Sequence, residues 1–531
     1  MTRERRTGAP RGGDDAPVRT PRYAVPESLV RWLVPLALTV LAAVPRFTAL
    51  WHPHTLVFDE TYYVKDAWTL LHLGYEGSWP EEADARFLAG DTGAFGTDPA
   101  YVVHPPLGKW LIAVGLAVFG AESGWGWRFS AALFGTLLVP LVYGIARRLS
   151  GSVAVGAVAG GLLALDGLAI ALSRVALLDG FLAFFVTLAF WFVLLDRERT
   201  RGRLATSAGP GGPVLWRRPW ILAAGVALGA ASAVKWSGLY VLAAVGILLV
   251  VQDALERRRA GVRRWLPAAT LRQGPVTFLL LVPAALAVYL ASWTGWLSTS
   301  GGYDRGSDPN PLAALWNYHT SIYGFHVGLA SPHPYASPAW QWPLLLRPTA
   351  MWVDRPEHGA ADCGWAPLWD PGDCIAVIGS HPNPVTWYAA WAAVILAAVL
   401  LIARRAGRDA SGLALALTGL AATYVPWLLY PERTVFQFYT VAMLPFLVIV
   451  LALVLGRLTR PRDPITLPDP SPAELAAGTR AADAQARAWR AVVFVFLVVA
   501  VLTALFFLPL STGILEPYPL WRLHNWLPGW V

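Results

Sequence analysis

The chain has 531 residues, 56% of them hydrophobic and only 14% charged, with a mean hydropathy of +0.47. A soluble domain carries about a quarter charged residues, so this composition excludes a soluble enzyme and implies one polytopic, all-α membrane domain. The formal net charge of +8 is a topology signal rather than affinity for nucleic acid, because Lys and Arg cluster in short loops between apolar stretches. The 27 Trp and 17 Tyr fit the amphipathic belts of a membrane protein.

Residues 1–29 are expected to form a disordered cytoplasmic tail, rich in Arg, Gly, Pro and Asp. No small-residue cleavage site follows the apolar stretch 30–50, which is expected to stay as a signal anchor. Eleven spanning helices are predicted, at about 30–50, 128–149, 153–172, 177–195, 219–236, 237–252, 276–297, 386–403, 411–430, 436–456 and 490–510. With the N-terminus inside, the Arg-rich loops after the second, fourth, sixth, eighth and tenth helices all fall in the cytoplasm, as the positive-inside rule requires. Residues 30–510 are thus read as one membrane domain. It has outer loops at 51–127 and 298–385, and an extracytoplasmic tail at 511–531. Within the first loop, the stretch 107–120 is too short to span and is placed as an interfacial helix. The Ala-rich stretch 469–490 reads as a separate short surface helix. No Walker loop is present: Gly209-Pro210-Gly211-Gly212 lacks the phosphate-loop Lys. Cys363 and Cys374 both lie in the second outer loop, where a disulfide would contribute about 3 kcal/mol by loop entropy.

Charged residues at membrane depth cost about 2.5–3.5 kcal/mol each on insertion scales, so each requires a reason. Asp59, Glu60, His104, Lys109, Arg174, Asp179, Lys235 and Arg433 all fall near the expected outer face. Asp59 suits a general base facing a hydroxyl acceptor. Lys235, Arg174, Arg433 and Lys109 suit the binding of a phosphate. Together they imply transfer of a group from a lipid-linked phosphate, with cations rather than a metal stabilising the leaving charge. Structural roles stay open beside these. An Asp-Glu pair also starts a solvated helix, Arg174 and Asp179 also suit an ion pair, and Lys235 can snorkel. His104 before Pro105-Pro106 also suits a stiffened turn.

Phe58-Asp59-Glu60-Thr61-Tyr62-Tyr63, His104-Pro105-Pro106-Leu107-Gly108-Lys109, Trp127-Arg128-Phe129, Arg174 to Asp179, Lys235-Trp236-Ser237-Gly238 and Arg433 to Tyr439 follow one another along the chain. In that order they resemble the protein O-mannosyltransferases in their actinobacterial form. The resemblance implies a GT-C glycosyltransferase that carries mannose from polyprenyl-phosphate-mannose to Ser or Thr of secreted polypeptides, with inversion, at the outer face of the plasma membrane. It further implies contact with the translocon and membrane lipids, and no cofactor, metal or nucleic acid. Asp59 matches the catalytic base, with Glu60 beside it. Arg128, Arg174, Lys235 and Arg433 match donor or phosphate contacts. Tyr63, His104, Lys109, Asp179, Gln437 and Tyr439 complete the candidates. The long outer loop is too short for the MIR repeats of the eukaryotic members, which leaves acceptor recognition open. Trp316, Tyr318, His319, Trp340, Trp342 and Trp352 are candidates for a peptide or sugar groove, or for membrane anchors. The alternatives are a related enzyme that glycosylates a lipid or wall glycan, and a transporter, which would place its charges at the bilayer midplane.

Overall fold

The computed structural model describes residues 27–205, 211–364, 368–461 and 471–530. The expected tail at 1–29 lies outside these, except that residues 27–29 already belong to the first helix. The main helices are α1 (Glu27–Phe47), α2 (Glu60–Leu73), α3 (Leu107–Phe119), α4 (Gly124–Ser150), α5 (Val153–Ala164), α6 (Gly167–Arg174), α7 (Leu178–Ala205), α8 (Pro219–Val234), α9 (Ser237–Arg259), α10 (Gly274–Ser292), α11 (Pro311–Gly328), α12 (Pro384–Ile402), α13 (Ala410–Tyr424), α14 (Leu444–Leu458) and α15 (Pro472–Phe506). Every apolar stretch is helical, the third being split into α5 and α6 at a 55° bend. Asp166 sits in that bend and caps α6 by accepting a hydrogen bond from the Ala169 amide. By length and composition, seven described helices suffice to cross a membrane, or eight with the bent pair counted as one, against the eleven expected. α8 and α14 fall short at 16 and 15 residues. α14 is buried from Leu444 through Val454, as a helix apolar on all sides should be. The first part of its apolar stretch is instead a 3₁₀ turn, Gln437–Ala442, which leads into the helix.

The helix ends are written in the sequence. Asn310 and Asn383 cap α11 and α12, each followed by a proline at the first helical position. Ser471 and Glu474 form a capping box that starts α15. α15 then runs without a break for 35 residues, so the expected surface helix and the last apolar stretch are one rod. Its length is about 52 Å, well beyond the ~30 Å of hydrocarbon.

The loop 298–385, expected outside, has its own architecture. It holds α11 and two strands, β1 (Ala350–Asp354) and β2 (Cys374–Gly379), and the C-terminal tail adds β3 (Glu516–Pro517). The sheet is antiparallel in the order β1-β2-β3. Cys363 and Cys374 form a disulfide at the start of β2, with a Cα–Cα distance of 5.9 Å.

Candidate active site

Asp59 stands at the N-terminus of α2, but its side chain makes no capping hydrogen bond, so the carboxylate is not consumed by the helix. Phe58, just before it, has a φ of 53°, a left-handed backbone that costs a non-glycine residue about 1 kcal/mol or more. Packing holds it there: its ring meets Phe436 and Phe438 edge-on, at 5.7 and 5.6 Å between centroids. The turn is locked from the other side by Glu60, which is fully buried. Glu60 Oε1 accepts from Arg128 Nε at 2.9 Å and the Ala176 amide at 2.7 Å. Its Oε2 accepts from Arg128 Nη2 and the Val57 amide, both at 2.8 Å. The other Arg128 N–H groups donate to the carbonyls of Leu50, Pro53 and Thr55.

Glu60 and Arg128 were expected at the donor or acceptor, yet their hydrogen bonds are spent on each other and on the backbone around Asp59. Arg174 is likewise withdrawn. It donates to the carbonyls of Pro45, Thr48, Ala49 and Thr512, and so caps the end of α1 rather than pairing with Asp179. Lys109 is buried and paired with Glu76 and, at 3.7 Å, with Asp66. Gly108 lets α3 reach that position, because a methyl there would sit 2.6 Å from Leu178 Cδ2. Gln437 is fully buried and bonded to Ser380 and Thr440.

The remaining candidates converge. His104, Lys235, Arg433 and Tyr439 line a cavity of about 100 Å³ together with Trp236, Tyr240, Tyr323, His326, Trp427 and Tyr430. Asp59 lies behind this wall. The Tyr63 hydroxyl reaches Asp59 Oδ2 at 3.5 Å, while its ring faces that of His104 at 6.1 Å. Lys235 Nζ donates to both Asp179 oxygens, at 3.0 and 2.8 Å, and stands 4.5 Å from the centre of the Tyr439 ring. Asp179 therefore holds Lys235. Arg433 has no such carboxylate among the described residues. It lies 5.4 Å from the centre of the Trp427 ring and donates to His326 Nδ1 at 3.1 Å, and its buried Nε finds no partner among the described residues. His326 Nε2 donates to the Val103 carbonyl, which leaves Nδ1 free to accept from Arg433.

Electrostatics follow from burial. Burial pushes the Asp59 carboxyl up to about 6, with Lys235 opposing the rise and Asp179 adding to it. Burial, then the charges of Lys235 and its other neighbours, holds His104 well below its ordinary value and therefore neutral. His326 is held down to about 4 by burial and by Arg433.

An apolar groove of about 700 Å³ adjoins the cavity, and Trp236, Tyr240 and Tyr323 line both. The sequence reading missed His326, Tyr323 and Trp427. A signal existed for the first two: Trp316, His319, Tyr323 and His326 recur at three or four residues along α11, which is one helix face. Of the six proposed groove aromatics, Trp316 and His319 line the apolar groove. Tyr318 and Trp342 are buried, Trp340 is exposed, and the Trp352 ring meets that of His52, so the six form no single groove.

The family model for dolichyl-phosphate-mannose-protein mannosyltransferase matches residues 36–297. That for the C-terminal four-transmembrane region of protein O-mannosyltransferase matches residues 311–530. A polyprenol-phosphate-mannose–protein mannosyltransferase of Mycolicibacterium smegmatis is 33% identical, over 99% of both chains. That of Mycobacterium tuberculosis is 34% identical over 97% of this chain and 96% of its own. That of Corynebacterium glutamicum is 32% identical over 93% and 92%. The fold is shared with a chain of the yeast protein O-mannosyltransferase Pmt1-Pmt2 complex bound to the sugar donor. Its TM-score is 0.68 at 15% identity, over 94% of this chain and 92% of that one. The chain is a multi-pass membrane protein of the GT-C fold, and it belongs to the protein O-mannosyltransferase family.

Proposed function

We propose that the protein moves mannose from polyprenyl-phosphate-mannose to a Ser or Thr hydroxyl of a polypeptide, with Asp59 as general base. The observation that carries this reading is the Arg433 guanidinium, paired with no carboxylate among the described residues and with its buried Nε unsatisfied, in an aromatic cavity beside Lys235 and in front of Asp59, next to an apolar groove. The groove suits an isoprenyl chain, and the cations suit its phosphate. Asp59 takes the hydroxyl proton as the oxygen bonds to the anomeric carbon. The bond from that carbon to the phosphate oxygen breaks, and its electron pair leaves with the phosphate, inverting the sugar. Arg433 and Lys235 stabilise the second negative charge that develops there, so the charged lining of the cavity does the work otherwise given to a metal. A carboxyl raised to about 6 is a stronger base than an ordinary one and is still ionised at neutral pH. Tyr63, whose hydroxyl reaches Asp59, and Asp179, which holds Lys235, act as positioning residues.

The five Arg-rich loops support a cytoplasmic N-terminus and an outer active site in a bacterial plasma membrane, where acceptor polypeptides leave the translocon. The names of the full-length relatives favour a protein acceptor over a lipid or a wall glycan.

The test is direct. Membranes carrying the chain receive polyprenyl-phosphate with radiolabelled mannose and a Thr-rich peptide, beside an Asp59→Asn control. The wild type should label the peptide and the variant should not. An unlabelled peptide in the wild type removes the reaction; a fully active Asp59→Asn removes only the base.

A further inference from the structure

A second cavity, of about 820 Å³, lies at the other end of α14. α14 begins at Leu444, close after Tyr439 of the catalytic cavity, and ends at Leu458 in the wall of this one. Its 15 residues rise about 22 Å, so the two cavities belong to opposite faces of the bundle. Among the described residues, Arg405, Arg408, Arg457 and Arg460 line the second cavity with one carboxylate, Asp409, an excess of three positive charges. Asp409 is already spent: its oxygens accept from Arg457 at 2.9 Å and from Arg460 at 2.7 Å. Arg457 is also tied to the carbonyls of Ala406 and Arg405, so its direction is preset. Arg405 and Arg408 are exposed, and no described residue accepts a hydrogen bond from either side chain. Beyond this rim the wall is apolar, formed by Leu396 and Leu400 of α12 and Val454 and Leu458 of α14.

A free phosphate would satisfy the guanidinium groups and leave the leucines uncovered. An amphiphile satisfies both. The geometry points to a binding site for an anionic phospholipid, with its phosphate among Arg405, Arg408, Arg457 and Arg460 and an acyl chain along Leu396, Leu400 and Leu458. This site stands apart from the transferase reading, because none of its residues lines the catalytic cavity.

The test uses the full chain in micelles supplied with equal phosphatidylglycerol and phosphatidylcholine, with retained lipid read by native mass spectrometry. Phosphatidylglycerol should be retained about ten-fold or more over phosphatidylcholine. The Arg405→Gln/Arg408→Gln double variant, changed only at exposed side chains, should lose that preference while staying monodisperse. Leu400→Asp should lose the lipid even where the rim is intact. Equal retention of the two lipids, or an unchanged preference in the double variant, overturns the site. Displacement of the lipid by millimolar inorganic phosphate shows a plain anion site and overturns the lipid assignment.

Discussion

At the residue scale, the proposed base Asp59 joins a functional role to a cost in stability. Its carboxyl titrates near 6, so the transfer rate should fall as pH drops through about 6, with Asp59 as the group lost. A pH–rate profile at saturating donor checks this; a rate still flat at pH 5 contradicts the assignment. The same shift sets the sign for folding. The native state holds a proton that the unfolded chain releases near pH 4, so stability is lost as pH rises from about 4 to 6. Above that window the penalty is of order 2–3 kcal/mol, and Asn does not carry it. Asp59→Asn should therefore melt higher than wild type at pH 7.5 and equally at pH 4, read by thermal unfolding in detergent, while losing about 10²–10⁴-fold in rate.

At the scale of elements, the Glu60–Arg128 pair joins the turn 50–57, the start of α2, the start of α4 and the link between α6 and α7. Removing one member leaves the other charge buried and unpaired. Arg128→Met alone should cost about 3–5 kcal/mol, and Glu60→Gln with Arg128→Met should recover part of that loss. Unfolding in denaturant reads both; a single variant as stable as wild type would sink the account. The sequence showed that charges of both signs belonged near Asp59, because each was too costly to be idle. It did not show who pairs with whom. Residues 60 and 128 meet across 68 positions of chain, and an isolated Arg reads the same whether it faces a phosphate or a carbonyl. The helices were easier to place, since apolar runs and their caps are local. The short α14 and the continuous α15 were not, because burial among neighbours and a capping box override an average over hydropathy.

At the scale of the whole molecule, the two long loops, 51–127 and 298–385, are structured around the membrane bundle rather than appended to it. β3 of the C-terminal tail completes the sheet begun in the second of these loops, and the tail carbonyl of Gly513 accepts from His52 in the first. The disulfide closes a sequence separation of 11 residues at the edge of this assembly, far in the chain from the cavity residues of α9 and α11. Cys363→Ser/Cys374→Ser should therefore lower stability by about 3 kcal/mol or less and leave the transfer rate within about two-fold. Protease sensitivity of residues 355–374 and the peptide assay read the two parts separately. The pairing was legible from two cysteines in one loop, whereas the closing of the sheet was not, since β3 comes from a segment more than a hundred residues beyond β2.

The balance of cations and carboxylates around the cavity has a consequence for turnover. Asp59 and Asp179 stand beside Lys235, Arg433 lines the same cavity, and the donor phosphodiester of the proposed reaction adds one negative charge. On the proposed mechanism, once the hydroxyl proton sits on Asp59, one carboxylate is neutral and the departing phosphate carries one charge more. The sum across the site is the same before and after; the charge has only moved from the acceptor end to the lipid end. Added salt should thus raise KM for the anionic donor while leaving kcat nearly constant. A kcat that falls as steeply as kcat/KM with ionic strength would show that charge enters or leaves the site during the chemical step.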